Sequence, residues 1–181
     1  MAHIDRLRLS SLCWIPSVLV NYSLLTTLVE HFHLEMNTFH LPMGEMTITP
    51  EDIWRILRIP FHGARVIYDT TPRAGTVTLS TVFGRELQRG RAISWDELMH
   101  TYGLTHRLAS ILVIFLSCFL CPDRGQHGLE SGWGVMLQQM VATPKIFSWG
   151  QCMLAHMFHE MHEIVFHGKK TMATGVYVLQ I

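Results

Sequence analysis

The stretch "TFHLPMGEMTITPEDI", from Thr38 to Ile53, carries the densest local structural signals in this chain. Two short runs rich in β-forming residues, "TFHL" and "EMTIT", flank the segment from Pro42 to Gly44. A proline and a glycine between two such runs favour a tight turn that pairs them as antiparallel strands. The sequence therefore predicts a small β-hairpin near residues 38–49.

The end of the same stretch has the features of a helix start. Thr49 is a favourable N-cap residue, Pro50 suits the first helical position, and Asp52 follows Thr49 at the spacing of a capping box. Glu51 and Asp52 also place negative charge at the positive end of the helix dipole. We expect these carboxylates to cap a short helix that stops before Pro60. Its predicted apolar face consists of Ile53, Trp54, Ile56 and Leu57.

Helical patterns dominate the rest of the chain. A first amphipathic helix, with apolar residues at Leu19, Leu24, Leu25 and Leu28, is predicted to end near His31–His33. Residues 61–91 are predicted to be loop with one edge strand, and further helices are predicted near 94–103, 105–121 and 135–141. Ser148 is expected to cap a last long helix that Gly168 ends. The predicted apolar stripe of that helix is Leu154, Met157, Phe158, Met161 and Val165.

These patterns predict a single unit. No repeat or linker divides the 181 residues, and "PDRGQHGLESGWG", residues 122–134, is predicted to be a surface loop. The expected fold class is mainly α: a single helical domain, residues 1–181, with a small β-hairpin near residues 38–49.

Composition restricts the classes of partner. Hydrophobic residues make up 49% of the chain and charged residues 15%, which is typical of a folded domain. The 14 Lys and Arg residues equal the 14 Asp and Glu residues, so no general field attracts a phosphate backbone or an anionic membrane. The most apolar run, Leu108 to Cys121, is shorter than the roughly 20 residues of a membrane span. We expect neither membrane insertion nor direct nucleic-acid binding.

A His-rich and Glu-rich helix is the best candidate for catalytic chemistry. His156, Glu160, Glu163 and His167 lie at offsets that place them on one helical face. Imidazole and carboxylate groups suit zinc or another divalent metal, so one alternative function is a metal-dependent enzyme. However, no HExxH motif is present, and a polar face opposite an apolar stripe is the ordinary pattern of a surface helix. We therefore expect no metal, no cofactor and no catalytic residue.

Two further residue groups have competing interpretations. Cys118 and Cys121 have the CxxC spacing of zinc or redox sites, but their apolar surroundings and the lack of a second pair favour burial. The second group is a basic cluster that could touch phosphate, which gives a nucleic-acid-binding module of transposon origin as another alternative. The cluster lacks the interleaved aromatic residues of single-strand binders, and this favours a solvated loop. That group is Arg85, Arg89 and Arg91.

The segment from Leu24 to Gly63 resembles the signature of the plant mobile domain family, also called the aminotransferase-like plant mobile domain. A second segment, "FSWGQCMLAHMFHEM" from Phe147 to Met161, is similar to the family's aromatic-Ser-Trp-Gly helix. The closing "GVYVLQI" is similar to the start of the family's next segment, so the resemblance covers about residues 10–181 and suggests a C-terminally truncated copy. This chain departs from the family pattern at Pro50 and at Arg58-Ile59, which replace Leu and Gly-Leu.

The resemblance implies a noncatalytic nuclear protein-interaction module, associated with meristem development and with silencing of transposable elements. The partners it implies are nuclear proteins, among them a Ser/Thr phosphatase of the long-form phosphatase 7 class. Despite the term aminotransferase-like, this chain lacks a recognisable aminotransferase active-site motif. A pyridoxal enzyme needs a Schiff-base lysine in a phosphate-binding site, and none of Lys145, Lys169 and Lys170 lies in such a motif.

Overall fold

The helices and strands of the computed structural model fall mainly in two stretches of the chain. The structure describes Asp5 and residues 8–14, 19–66, 93–94, 120, 128–129, 136, 146–168, 172 and 176–180. In chain order its elements are a 3-10 helix (Ser10–Trp14), α1 (Tyr22–Glu30), β1 (Phe32–His33), β2 (Thr38–Leu41), β3 (Gly44–Met46), α2 (Pro50–Leu57), β4 (Ile93–Ser94), β5 (Gly128–Leu129), α3 (Trp149–His167) and α4 (Val176–Leu179).

Helical residues outnumber strand residues in these described ranges, and the largest sheet has three short antiparallel strands. The described part of the chain is therefore mostly helical, with a small sheet. The helices predicted near 94–103, 105–121 and 135–141 lie largely outside the described residues. Two residues of the predicted loop at 122–134 instead form β5, which pairs antiparallel with β4. None of the helices that the structure describes is both long enough and apolar enough to cross a membrane.

The predicted hairpin is confirmed. Strands β2 and β3 pair antiparallel, with Phe39 opposite Met46 and Leu41 opposite Gly44, so that Pro42 and Met43 form a two-residue turn. The backbone at Gly44 has φ +130°, a conformation that favours glycine. The sequence did not indicate β1, which pairs with the other edge of β2 and places the Phe32 ring 5.3 Å from the Phe39 ring.

Helix α1 is shorter than predicted. Asn21 is its N-cap and accepts a hydrogen bond from the Leu24 backbone N–H through its side chain at 3.1 Å. Leu19 therefore precedes the helix and is 94% exposed, so its assignment to the apolar face was wrong. Leu25 is the buried residue of α1, the helix that packs against α3. The helix begins after Asn21 because the side chain of this residue satisfies one of the free N–H groups of the first turn.

The predicted capping box at the start of α2 is confirmed. The Thr49 hydroxyl accepts a hydrogen bond from the Asp52 N–H at 3.3 Å, and Asp52 Oδ2 accepts from the Thr49 N–H at 2.9 Å. Glu51 forms an ion pair with Arg55, one turn later, at 2.8 Å. The carboxylates of this stretch thus satisfy backbone donors and a neighbouring guanidinium, which is a structural role.

Only part of the predicted apolar face of α2 is buried. Ile53 and Leu57, one turn apart, are buried in the core, and Ile56 is partly buried and packs against it. Trp54 is 40% exposed, so its assignment to the buried face was wrong. As the next residue along an α-helix, Trp54 lies about 100° around the helix axis from the fully buried Ile53.

We predict that Thr49→Ala lowers the free energy of unfolding by about 1 kcal/mol, because it removes the hydroxyl that caps α2. Thermal or urea unfolding followed by circular dichroism measures the loss. Thr26→Ala is the matched control, since that threonine lies inside α1 and its hydroxyl donates to the Tyr22 carbonyl. Alanine is the better helix former at such a position, so the control should be neutral or slightly stabilising. Equal losses in the two variants would contradict the capping role.

The same box predicts a pH dependence of stability. The hydrogen bond from the Thr49 hydroxyl, and then that from the Thr49 N–H, hold the pKa of Asp52 below its ordinary value of 3.8. Because the pKa is lower in the folded state, the ionised carboxylate stabilises the fold above pH 3.8, and this contribution is lost as the pH falls toward the folded-state pKa.

The stability difference between the wild type and Asp52→Asn should therefore shrink between about pH 6 and about pH 2, as measured by urea unfolding across this range. In a Thr49→Ala background, which lacks the donor with the largest effect on the Asp52 pKa, the same substitution should show a weaker pH dependence. A difference that stays constant with pH in the wild-type background would contradict the assignment.

Helix α3 provides much of the described core. Met153, Met157 and Met161 follow one another at every fourth position and are fully buried, while Val165 is exposed, so the predicted stripe is wrong at its last residue. Gly168 has φ +63° and donates its N–H to the Ile164 carbonyl, which confirms the predicted helix end. The Ser148 side chain caps no helical N–H group; its hydroxyl donates to the Ala64 carbonyl at 3.3 Å.

A backbone junction joins the segment after α2 to the start of α3. The Ala64 N–H donates to the Ile146 carbonyl at 2.8 Å, and the Ser148 N–H donates to the Ala64 carbonyl at 3.0 Å. The Gly150 N–H donates to the Pro60 carbonyl at 2.9 Å. We call these contacts the 60–64/146–150 junction. The buried core beside it includes Ile53, Leu57, Ile59, Phe147, Trp149 and Met153.

Candidate interaction surface

A groove of about 340 Å³ opens at the surface where α2 ends. Its walls are formed by Arg8, Trp54, Arg58, Phe61, His62 and Ile146, with Pro60 and Gly63 between them. We call it the Trp54 groove. Its volume is in the range of sites that hold small ligands or a few side chains of a partner.

The end of α2 positions two of the lining side chains. Arg58 is the C-cap residue, its backbone is left-handed with φ +56°, and its N–H donates to the Trp54 carbonyl at 2.8 Å. The turn places the Arg58 Cζ atom 4.8 Å from the centroid of the Trp54 ring. At this distance the cation is attracted by the negative face of the indole, so each side chain restrains the other.

The remaining walls come from distant parts of the chain. The Phe61 and His62 rings lie 3.9 Å apart, beside the 60–64/146–150 junction that places Ile146 in the groove. On the other side, Leu9 is buried in the core and the Ser11 hydroxyl donates to the Arg58 carbonyl at 3.3 Å. These two contacts anchor the N-terminal segment and so hold Arg8 at the groove.

The groove is positively charged and partly aromatic. No aspartate or glutamate is found among its described lining residues. Neither the Arg8 nor the Arg58 guanidinium has a carboxylate within ion-pair distance in the ranges that the structure describes. The surface therefore combines two cations with exposed aromatic area, which is a combination enriched at protein interfaces.

The four candidate metal ligands on α3 have different environments. Glu160 is only 3% exposed and His156 is half-buried. Glu163 and His167 lie near the surface, with Glu163 Oε1 3.3 Å from His167 Nδ1. The expectation that this face lies wholly on the surface is thus wrong at its first half, because the buried side of α3 is wide enough to include Glu160. Within the described ranges, no group of three or more His, Cys, Asp or Glu side chains could hold a metal ion.

Comparison with known proteins identifies the family of this chain. Residues 9–181 match the model of the family described as "Plant mobile domain". The chain belongs to this family. The resemblance seen in the sequence is thereby confirmed, and the Trp54 groove is a surface of a plant mobile domain.

The relatives of this plant mobile domain include three proteins from Arabidopsis thaliana. Serine/threonine-protein phosphatase 7 long form homolog is 29% identical over 159 residues, which cover 78% of this chain and 12% of that protein. Protein MAINTENANCE OF MERISTEMS is 43% identical over 53 residues, which cover 29% of this chain and 11% of that protein. Protein MAIN-LIKE 1 is 44% identical over 48 residues, which cover 26% and 9%. The matched segments thus span about a tenth of these relatives, and no solved structure matches the chain.

Several residues considered in the sequence of this plant mobile domain lie outside the described residues. They are Arg85, Arg89 and Arg91, the pair Cys118 and Cys121, and the three lysines Lys145, Lys169 and Lys170. The interpretations of these residues stay predictions.

The groove itself was not predicted from the sequence. The sequence pattern placed Trp54 on the apolar face of α2, Arg58 was noted only as a departure from the family pattern, and neither Arg8 nor Phe61 was assigned to a site. One available signal was an arginine directly after the last apolar residue of α2, at a position where a left-handed C-cap is common. No local pattern indicates that residues 8 and 146 meet the end of α2.

Proposed function

We propose that this plant mobile domain is a noncatalytic protein-interaction module of the nucleus, acting in meristem development and in the silencing of transposable elements. Its proposed partners are nuclear proteins, including a Ser/Thr phosphatase of the long-form phosphatase 7 class. Membership of the family and the names of the similar proteins support this proposal.

The observation that carries the proposal is the Trp54 groove. Trp54 is 40% exposed, the Arg58 guanidinium lies over its ring, and the Phe61 and His62 rings line the same groove. A tryptophan restrained in this way offers rigid contact area at little cost in side-chain entropy. Tryptophan and arginine are also the residues that most often dominate the binding energy of protein interfaces. The groove is therefore suited to bind a protein partner.

Affinity purification from plant nuclei tests the proposal. Tagged wild-type protein, Trp54→Ala and a matched control, Tyr22→Ala, would be compared by quantitative mass spectrometry. Tyr22 is an exposed aromatic residue on α1 and is not among the groove residues. The expected result is recovery of a phosphatase of the stated class or of chromatin proteins with the wild type and with Tyr22→Ala, and reduced recovery with Trp54→Ala.

A further variant addresses catalysis by the His-rich and Glu-rich face of α3. Glu163→Gln removes the carboxylate that pairs with His167, and an interaction module should keep its partners after this change. The proposal fails if no phosphatase or chromatin protein exceeds the tag-only background. It also fails if the fusion is excluded from nuclei in fluorescence microscopy.

A further inference from the structure

We propose that the Trp54 groove binds an acidic linear segment of a partner protein, with carboxylates at Arg8 and Arg58 and an apolar side chain between Trp54 and Phe61. This inference rests on the proposed function, because it names the chemistry of the partner for the same surface.

Charge complementarity is the first argument. Two guanidinium groups line the groove, and no carboxylate is found among the described lining residues. The two positive charges are therefore available to bind an acidic group of a partner. A guanidinium stacked on an aromatic face keeps its in-plane N–H groups for bidentate bonds to a carboxylate. The Arg58 Cζ atom lies over the Trp54 ring, 4.8 Å from its centroid. An acidic side chain is therefore the group that the groove is equipped to accept.

The shape of the groove gives the second argument. The Trp54 indole, the Phe61 ring and the Ile146 side chain line the same groove as the two arginines, and Trp54 and Ile146 expose 40% and 41% of their surface. The volume of about 340 Å³ is enough for one or two side chains and too small for a folded element. A linear segment in which an aromatic or aliphatic residue lies between acidic residues would match both the charge and the apolar area.

Backbone conformation gives the third argument. Three described non-glycine residues have positive φ, and two of them are Arg8, with φ +54°, and Arg58, with φ +56°. A side chain with a Cβ atom destabilises the left-handed conformation, and glycine would occupy the C-cap of α2 without this penalty. Strained residues that persist are concentrated at functional sites. Both arginines occupy conformations that cost stability at positions where their charge faces one groove.

A protein segment fits these observations better than single-stranded nucleic acid does. Proteins that bind single strands combine stacked aromatic residues with a long positive track along the backbone. The described lining has two guanidinium groups, and the whole chain carries equal numbers of acidic and basic residues. A short cationic groove on a neutral protein favours one or two carboxylates over a run of phosphates.

Fluorescence anisotropy with a defined probe tests the inference. The probe is a labelled peptide of Asp and Glu around a central Phe-Leu pair, and the reference peptide has Asn and Gln in their place. Arg58→Gln should weaken binding of the acidic probe at least about tenfold, as expected for loss of a charge-assisted contact. Arg55→Gln is the matched control, because it removes an equal charge from the same helix outside the groove and should change binding less than about twofold.

Arg58→Gly separates binding from folding. Glycine tolerates the left-handed C-cap, so this variant should melt at or above the wild-type temperature and still lose the acidic probe. The inference is overturned if the Asn and Gln reference binds as tightly as the acidic probe, or if Arg58→Gln and Arg55→Gln behave alike. It is also overturned if an oligothymidylate competes for the groove more strongly than the acidic peptide does.

The two proposals can fail separately. If Trp54→Ala loses nuclear partners while the acidic probe does not bind, the interaction module stands and the acidic segment is wrong. If the acidic probe binds through Arg58 while no nuclear phosphatase or chromatin protein is recovered, the groove chemistry stands and the proposed function is wrong.

Discussion

Gly63→Ala is expected to lower the free energy of unfolding by about 3 kcal/mol or more, the largest effect of a single methyl group in the described chain. A Cβ atom at this position would lie 2.2 Å from the Ile146 carbonyl oxygen and 2.8 Å from its carbon. The backbone has φ +138°, a conformation that L-residues rarely adopt. Neither side can move away easily, because the 60–64/146–150 junction ties them by backbone hydrogen bonds.

Gly44→Ala is the matched control for this prediction. Gly44 has a similar φ of +130°, but nothing lies within 4 Å of an added Cβ atom. Its cost should therefore reflect backbone conformation alone, about 1 kcal/mol or slightly more. Urea unfolding of both variants separates the two causes. If Gly63→Ala is no more destabilising than Gly44→Ala, the close approach of the two segments is not as described.

Trp149→Ala is expected to destabilise the fold by about 3–5 kcal/mol. Trp149 is fully buried at the start of α3, and its ring centroid lies 5.3 Å from that of Phe147. Truncation would leave a cavity in the core beside Phe147. The alanine variant should therefore lose much or all of its cooperative thermal transition.

Trp149→Phe should cost much less than Trp149→Ala. The indole Nε1–H is buried and has no hydrogen-bond partner in the described structure, so phenylalanine removes an unsatisfied donor together with part of the ring. Trp54→Ala, at an exposed site, should change stability by less than about 1 kcal/mol. Calorimetric melts of the three variants provide the comparison. Equal losses from Trp149→Phe and Trp149→Ala would contradict this prediction.

The features predicted correctly from the sequence are those determined by neighbouring residues. The capping box of Thr49 and Asp52, the turn at Pro42 and Met43, and the helix end at Gly168 each depend on chemistry within a few positions. Such signals act before any tertiary contact forms, so a single sequence is enough to identify them.

The errors concern positions whose environment depends on distant residues. Trp54 fits the apolar pattern of α2, but in the folded chain only Ile53 and Leu57 of this helix are fully buried. Glu160 fits a polar face, yet the buried side of α3 includes it. Strand β1 has two residues and forms by pairing with β2, so its own sequence carries almost no periodic signal.

The candidate site could not be predicted for the same reason. Its side chains come from residues 8, 54–63 and 146, and only the middle group is local in sequence. What brings residue 146 to the groove is a backbone bridge between Ala64 and Phe147, which uses N–H and carbonyl groups that every residue has. The residue types at these two positions therefore do not predict the contact.

The long sequence separation within this junction has a consequence for how the protein is made. Ser148 and Ala64, whose backbones are bonded there, are 84 positions apart. During translation the hairpin and α2 can form early from contacts within a few positions, whereas the groove has to wait for the ribosome to release the start of α3. Until then the apolar side of α2 lacks its cover, and the nascent chain presents Ile53 and Leu57 to chaperones. A fragment for expression should accordingly extend through Gly168.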